Sequence, residues 1–211
     1  MFDRVAPRYD VVNRVMTFGM DVGWRRRAVR ELHLPPGSRV FDLACGTGDL
    51  CRELGRSGYR AVGFDFAVEM LRAARVEVPL VQADVLRLPV ADASGDGVTC
   101  GFALRNVLSL EELFAEIARI VRPGGAIALL DASRPDNRLL RAGHAVYFDR
   151  VVPVIGALLS DRAAYRYLPR SMAYLPPTPE IVAMLRHAGF PSIRRVQLSG
   201  GVSQLFVGTR A

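Results

Sequence analysis

The sequence predicts an α/β fold: a doubly wound, mostly parallel sheet of seven strands. Two observations support this prediction. Short apolar runs alternate with stretches of helical periodicity, and Gly, Pro and Asp residues separate them. In addition, 50% of the 211 residues are apolar and only 23% are charged, which provides a core and argues against disorder. We therefore expect one domain over residues 1–211, with helices on both faces of the sheet.

The first βα units are delimited by turn residues and by helical spacing. Residues 39–44 form a short apolar run after the breaker Pro35-Pro36-Gly37 and predict the first strand. A helix is predicted over 48–57, because Leu50 and Leu54 lie one turn apart on one face. By the same criteria we expect strands at 60–64, 80–83 and 97–102 and a helix at 67–75.

The second half of the chain continues the alternation after one long helix. Leu113, Ile117 and Ile120 recur at helical spacing within residues 110–121, and the turn Arg122-Pro123-Gly124-Gly125 ends this helix. The elements predicted after it are a strand at 126–131, a helix at 178–188 and strands at 192–198 and 202–208.

Residues 135–176 interrupt the alternation and contain no recognisable strand. We interpret them as a helical insertion before the last helix that covers the carboxyl edge of the sheet. Gly200 and Gly201 favour a hairpin between the last two strands, so the final strand is expected to be antiparallel.

The charges exclude some partners and leave others open. Net charge is +7, all 28 basic residues are arginine, and the excess lies at the two ends. Residues 1–30 hold seven Arg and three acids, residues 31–131 ten Arg and fourteen acids, and residues 132–211 eleven Arg and four acids. Because no like-charge run exceeds three residues, we expect no nucleic-acid partner. The basic ends are compatible with an anionic membrane surface, a phosphorylated substrate or a plain solvated face.

Other classes of protein are excluded by what the sequence lacks. Cys45, Cys51 and Cys100 are too few for a disulfide framework and form no C-x-x-C pair, so we expect no metal and a cytoplasmic location. The apolar run 151–159 is shorter than the ~20 residues of a membrane span. Charges throughout residues 1–30 argue against a secretory signal.

The turn after the first strand carries the clearest chemistry. In VFDLACGTGDL (40–50), Gly46 and Gly48 permit a tight turn and close approach of a ligand to a helix N-terminus. Asp65 ends the second strand, where a carboxylate can accept the hydroxyls of a ribose. Cys51 occupies the third glycine position of the dinucleotide fingerprint, which argues against NAD. The turn alone predicts a nucleoside site without naming the cofactor.

Several segments resemble the class I S-adenosylmethionine (SAM) methyltransferases. DLACGTGD (42–49) resembles their first motif and GFDFAVEML (63–71) their second. The stretches at 83–99 and 119–125 resemble the adenine-contact region and the turn into the fifth strand. This resemblance implies a Rossmann-like fold with SAM as the cofactor.

Four further segments, at 2–13, 101–107, 147–172 and 188–190, resemble the ubiquinone/menaquinone biosynthesis C-methyltransferases. These enzymes methylate a ring carbon of a polyprenylated quinol, and the resemblance implies demethylmenaquinol as the substrate. It also implies that residues 1–34 form a helical lid over the cofactor.

The resemblance extends the cofactor site beyond the two glycines and Asp65. It makes Thr47 a cofactor contact rather than only a helix cap, and it makes Asp84 and Val85 contacts to the adenine rather than turn residues. The complete set of predicted cofactor-binding residues is Asp42, Gly46, Thr47, Gly48, Asp65, Phe66, Asp84, Val85 and Gly101.

On the substrate side, a ring carbon becomes nucleophilic when the neighbouring phenol loses its proton, and a nearby cation stabilises the phenolate. Arg105 follows the fourth strand and is predicted to supply that cation, or else to form a structural ion pair. Asp131 is the predicted carboxylate partner or base, and Asn106 is expected to fix Arg105. Tyr147 and Tyr165 are predicted to contact the substrate, against the alternative that they only pack.

Three alternatives remain open at this point. The first alternative to a quinol C-methyltransferase is a SAM-dependent O- or N-methyltransferase of a small metabolite. The second is a SAM-binding protein without catalysis that acts as a partner in a biosynthetic complex. A nicotinamide oxidoreductase is a more remote third. A membrane-derived quinol also predicts a peripheral protein on an anionic bilayer surface. A homodimer is left open.

Overall fold

The computed structural model describes residues 9–147, 150 and 174–211. Their strands are β1 (Arg39–Leu43), β2 (Arg60–Asp65), β3 (Leu80–Gln82), β4 (Gly95–Gly101), β5 (Val121–Ala132), β6 (Arg194–Leu198) and β7 (Ser203–Thr209). Their α-helices are α1 (Tyr9–Met16), α2 (Met20–Glu31), α3 (Asp49–Arg56), α4 (Val68–Ala73), α5 (Leu110–Ile120), α6 (Arg138–Val146) and α7 (Thr178–His187).

The described strands form one seven-stranded sheet in the order β3-β2-β1-β4-β5-β7-β6. The pairs from β3 to β5 are parallel, whereas β7 is antiparallel to both β5 and β6. The predicted fold class is therefore confirmed, including the antiparallel final strand. Gly200 (φ +68°) and Gly201 (φ +97°) make the connection between β6 and β7, as their position predicted.

Element boundaries differ from the prediction by a few residues, for local reasons. Helix α4 ends before Ala74, because that residue adopts an extended conformation. Strand β5 begins at Val121, five residues early, because Val121 already pairs with Gly95. The register then shifts across a bulge, so that Gly97 pairs with Ala126.

The core lies on both faces of the sheet, as expected for a doubly wound fold. Along β5, Ile127 and Leu129 point to one face, whereas Ala126, Ala128 and Leu130 point to the other. The first face is covered by α5 and α7, whose buried residues are Leu113, Phe114, Ile117, Ile181 and Leu185. The second face is covered by α2 and α3, whose buried residues are Trp24, Ala28, Val29, Leu50 and Leu54.

The predicted lid (1–34) and insertion (135–176) are helical where they are described. Trp24 of α2 lies in the core and donates its Nε1–H to Ser199 Oγ (2.8 Å), so α2 is a layer of the fold. Within the insertion, α6 is a helix, while Tyr165 and the apolar run 151–159 lie outside the described residues. The lid function and the covering of the sheet edge stay predictions.

Parallel strands bring their carboxyl ends to one edge. The segments that follow β1, β2, β4 and β5 therefore meet there, and β1 and β4 are neighbours at the point where the strand order reverses. Open α/β sheets bind ligands at this point. Most of the predicted site residues lie in these four segments.

Candidate functional site

The turn from β1 into α3 is wound with left-handed backbone at three positions. Ala44 (φ +50°), Gly46 (φ +56°) and Gly48 (φ +85°) all have positive φ, and Gly48 N–H donates to Cys45 O (2.9 Å). The two glycines have different surroundings. A Cβ on Gly48 would lie 2.8 Å from Val76 Cγ1, whereas no described atom lies within 4 Å of a Cβ on Gly46. Gly48 thus serves packing, and Gly46 borders open space for a ligand.

Asp65 holds this turn from the end of β2. Its Oδ2 accepts the Gly46 N–H (2.7 Å) and its Oδ1 accepts the Ala67 N–H (2.8 Å), with 9% of the residue exposed. A carboxylate has about four lone-pair sites, so several donors can share it. Binding of ribose hydroxyls by Asp65 stays a prediction.

The remaining predicted cofactor residues surround the same edge. Phe66 is 73% exposed directly after Asp65. Asp84 is exposed and its Oδ1 accepts the Leu86 N–H (2.9 Å), while Val85 is half-buried against the core. Thr47 is buried in the turn, and a Cβ on Gly101 would lie 2.8 Å from Leu50 Cδ1. Their cofactor contacts stay predictions.

Asp42, which was also predicted to bind the cofactor, lies in the interior of the fold. It is completely buried, its Oδ1 accepts Thr99 Oγ1–H (2.8 Å) and its Oδ2 accepts the Cys51 thiol (3.3 Å). Burial raises the pKa of this carboxyl to about 7, against the lowering effect of those two hydrogen bonds. Asp42 thus supports the segment that follows β1 through its contact with Cys51, and its contact with the cofactor stays a prediction.

The structure brings Arg105 and Asp131 together as an ion pair across the ends of β4 and β5. Arg105 Nη1 binds Asp131 Oδ1, and the Arg105 backbone N–H reaches Oδ2 (3.3 Å). Asp131 is fully buried, whereas 9% of the Arg105 side chain is exposed. Its Nε is buried and has no hydrogen-bond partner among the described residues. This burial favours a supporting role for Asp131 over the predicted role of base.

Two further residues predicted for the substrate side are described. Asn106 donates Nδ2–H to Phe102 O (3.4 Å) and so closes the turn that carries Arg105. Tyr147 donates its hydroxyl to Met16 O (2.7 Å) and stacks near Phe18, and burial raises its pKa. The end of α6 thereby contacts the end of α1.

The comparisons with known proteins agree with this geometry. Residues 1–210 match the model of the ubiE/COQ5 methyltransferase family. The chain belongs to the ubiE/COQ5 methyltransferase family. It is a SAM-dependent methyltransferase, and the open space beside Gly46 together with the carboxylate of Asp65 fits that cofactor.

Individual relatives cover the whole chain. The demethylmenaquinone methyltransferase of Thermus thermophilus is 41% identical, with 100% of both chains covered. The ubiquinone/menaquinone biosynthesis C-methyltransferase of Syntrophotalea carbinolica is 40% identical over 100% of this chain and 93% of its own. A SAM-dependent methyltransferase structure from Thermotoga maritima shares the fold, with a TM-score of 0.70, 20% identity and coverage of 100% and 98%.

Sequence reasoning missed one charged cluster of this ubiE/COQ5 member. Arg25 of α2 binds Asp21, lies 3.5 Å from Asp49 Oδ2 and stacks 5.5 Å from the centre of the Phe102 ring. Asp49 begins α3, and Arg52 also contacts it (2.6 Å). The cluster thereby connects α2 with the turn from β1 into α3 (44–48), here called the cofactor turn, and with the turn before Arg105. The i,i+4 spacing of Asp21 and Arg25 was the signal available in the sequence.

Proposed function

We propose that this methyltransferase transfers a methyl group from SAM to a ring carbon of a polyprenylated quinol, converting demethylmenaquinol to menaquinol. The observation that carries the proposal is the similarity, over the full length, to relatives named for demethylmenaquinone methylation. A buried cation–carboxylate pair beside the cofactor turn supports it.

Bound SAM supplies a methyl group on a positively charged sulphur. The chain has to bind both reactants in line, exclude water and favour the phenolate form of the quinol. In this proposal Gly46 and Asp65 bind the cofactor. Arg105 follows β4 at the same edge of the sheet, and this supports a role for it on the substrate side.

In this proposal Arg105 stabilises the phenolate oxygen of the quinol. Its guanidinium is oriented by Asp131, and its Nε–H remains unused by the described residues. Because Asp131 is completely enclosed, it fixes and balances the guanidinium without taking the substrate proton. Asn106 fixes the turn that carries Arg105.

The test is mass-spectrometric detection of a methyl gain on a panel of reduced substrates with short tails. The panel contains demethylmenaquinol, a demethylated benzoquinol, and soluble phenols and amines. We expect a carbon-bound methyl on demethylmenaquinol. Transfer only to the soluble phenols or amines would replace this proposal with an O- or N-methyltransferase, and SAM binding without transfer to any of them would indicate a non-catalytic protein.

We also propose that the protein collects its substrate at an anionic bilayer surface. Five apolar side chains of α1 and α6 are exposed, and the set is here called the apolar rim: Val11, Val15, Leu139, Leu140 and Val146. The hydrogen bond from Tyr147 to Met16 O joins the two helices, and Arg138 and Arg141 flank the rim on α6. In the described part of the chain, every helix is too short or too polar to cross a bilayer. Exposed apolar side chains with arginines beside them are typical of helices that lie on an anionic bilayer surface, and this supports the proposal.

A further inference from the structure

Two thiols meet beneath the cofactor turn. Cys45 lies in this turn and Cys51 in the first turn of α3, and both sulphurs point toward Gly63 of the neighbouring strand β2. A Cβ on Gly63 would lie 2.8 Å from Cys45 Sγ and 2.9 Å from Cys51 Sγ. The absent side chain thus leaves a space that both sulphurs share. Their interaction is the main cause that raises the pKa of Cys51.

A buried carboxyl adjoins the same pair. Asp42 Oδ2 accepts the Cys51 thiol hydrogen at 3.3 Å, and the pKa of this carboxyl is raised by burial to about 7. A group with that pKa exchanges a proton near neutral pH. Cys45, burial and this carboxyl all raise the pKa of Cys51, so the thiol stays protonated until its sulphur reacts, and Asp42 is the group in direct contact that can then take the proton.

The three cysteines differ in access. Cys45 is 8% exposed at the rim of the turn, Cys51 is fully enclosed and Cys100 is 1% exposed. A small oxidant that enters the cofactor edge therefore meets Cys45 first.

We propose that Cys45 and Cys51 form an oxidisable dithiol that closes to a disulfide in the presence of a peroxide and switches off cofactor binding. The sulphur of Cys45 attacks one peroxide oxygen, the O–O bond breaks, and the leaving hydroxide takes the thiol proton as water. The sulphur of Cys51 then displaces the hydroxyl of the resulting sulfenic acid. Asp42 takes the Cys51 proton, and the displaced hydroxyl leaves with one proton as a second water.

The disulfide acts on the turn because residues 46–50 lie between the two cysteines. The free thiols have to approach to about 2.05 Å between sulphurs, which shortens the span of the turn. Gly46 N–H is held 2.7 Å from Asp65, so the pull displaces the contact that we assign to cofactor binding. This effect rests on the proposed cofactor site, whereas formation of the disulfide does not.

The experiment treats the full chain with hydrogen peroxide, with and without SAM. Peptide mass mapping reads out the link between Cys45 and Cys51, and calorimetry reads out SAM affinity before and after dithiothreitol. We expect the linked peptide, a loss of SAM affinity of at least about tenfold, full recovery on reduction, and slower linkage when SAM is present.

Two variants separate this switch from general oxidative damage. Cys51→Ser keeps a hydroxyl toward Asp42, folds, and accumulates a trappable sulfenic acid on Cys45 with SAM affinity retained. Cys100→Ser serves as the matched control and behaves as the parent protein. Failure of Cys45 and Cys51 to link under peroxide overturns the switch, as does linkage that leaves the SAM affinity unchanged. If the untreated protein binds no SAM, the proposed cofactor site fails, while the mapping still decides whether the disulfide forms.

Discussion

At Asp65, one carboxylate holds the turn after β1 and is also the group that we propose for binding the cofactor. Asp65→Asn keeps the size of the side chain but replaces one acceptor oxygen with a donor toward Gly46 or Ala67. We expect SAM binding to weaken by about 1–3 kcal/mol, measured by calorimetry. Glu69→Gln, on the exposed side of α4, is the control. Unchanged affinity in Asp65→Asn would remove Asp65 from the site.

The two glycines of the turn allow packing and binding to be separated. Gly48→Ala brings a Cβ against Val76 as well as straining the backbone, so thermal stability should fall by about 1–3 kcal/mol. Gly46→Ala meets only the strain of its positive φ, about 1 kcal/mol, but places a methyl group in the ligand space. We expect Gly46→Ala to lose more SAM affinity per unit of lost stability. Equal losses in both variants would contradict this.

Asp42 makes the free energy of unfolding depend on pH, and the direction of this dependence follows from its pKa. Its folded pKa of about 7 lies above the usual value of 3.8 for an aspartate, so the native state binds the proton more tightly than the unfolded state. Its contribution to stability is therefore full below pH about 4 and is lost as pH rises toward 7. Asp42→Asn removes this loss, which is on the order of a few kcal/mol.

Urea unfolding at pH 5 and pH 8 measures the effect. The parent protein should lose more stability between these values than Asp42→Asn does. Asp92→Asn, at an exposed position, should keep the parental difference. The lowered pKa values of Glu31, Asp96 and Glu116 place their own losses of stability at lower pH. An undiminished pH difference in Asp42→Asn would refute the assignment.

At the scale of the elements, the ion pair of Arg105 and Asp131 ties the end of β4 to the end of β5. Arg105→Ala would leave the buried carboxylate of Asp131 unpaired and lower the free energy of unfolding by about 3–5 kcal/mol. A loss of activity in that variant could then not be separated from a loss of stability. Arg105→Lys keeps the charge and loses the planar fork. We expect it to fold, to bind SAM as before, and to lower turnover by about 100-fold. Parental turnover in Arg105→Lys would assign the pair to structure alone.

The bounds of an element could be predicted where they follow from periodicity within one segment. They were harder to predict where they depend on the pairing of two strands. The helical spacing of Leu113, Ile117 and Ile120 predicted α5, because this signal lies within one helix. The early start of β5 at Val121 depends on a pairing with Gly95, which no local pattern contains.

The same distinction holds for the candidate site. The place of Asp65 at a strand end was sufficient to locate it beside the turn after β1, where its Oδ2 accepts the Gly46 N–H. The burial of Asp42 was missed because it requires Thr99, which the register of β1 against β4 places directly opposite. The contact of Arg25 with Asp49 was missed for a similar reason, since it depends on how α2 packs on α3.

At the scale of the whole molecule, charge and apolar exposure coincide at the ends of the chain. Residues 1–30 carry a net charge of +4 and residues 132–211 one of +7, whereas residues 31–131 carry −4. The apolar rim lies on α1 and α6, which belong to the two basic ends. An anionic bilayer complements both features, since Arg side chains reach the headgroups while Leu and Val enter the acyl boundary.

Co-sedimentation with vesicles measures this attachment. We expect the protein to pellet with anionic vesicles at low salt, to be released as salt rises, and to bind neutral vesicles weakly. Leu139→Gln combined with Leu140→Gln should reduce pelleting with SAM binding unchanged, because both side chains are exposed on α6. Leu108→Gln is the matched control, since Leu108 is exposed outside the rim. Equal and negligible binding to both kinds of vesicle would exclude the surface, and an effect of Leu108→Gln as large as that of the double variant would move it off α6.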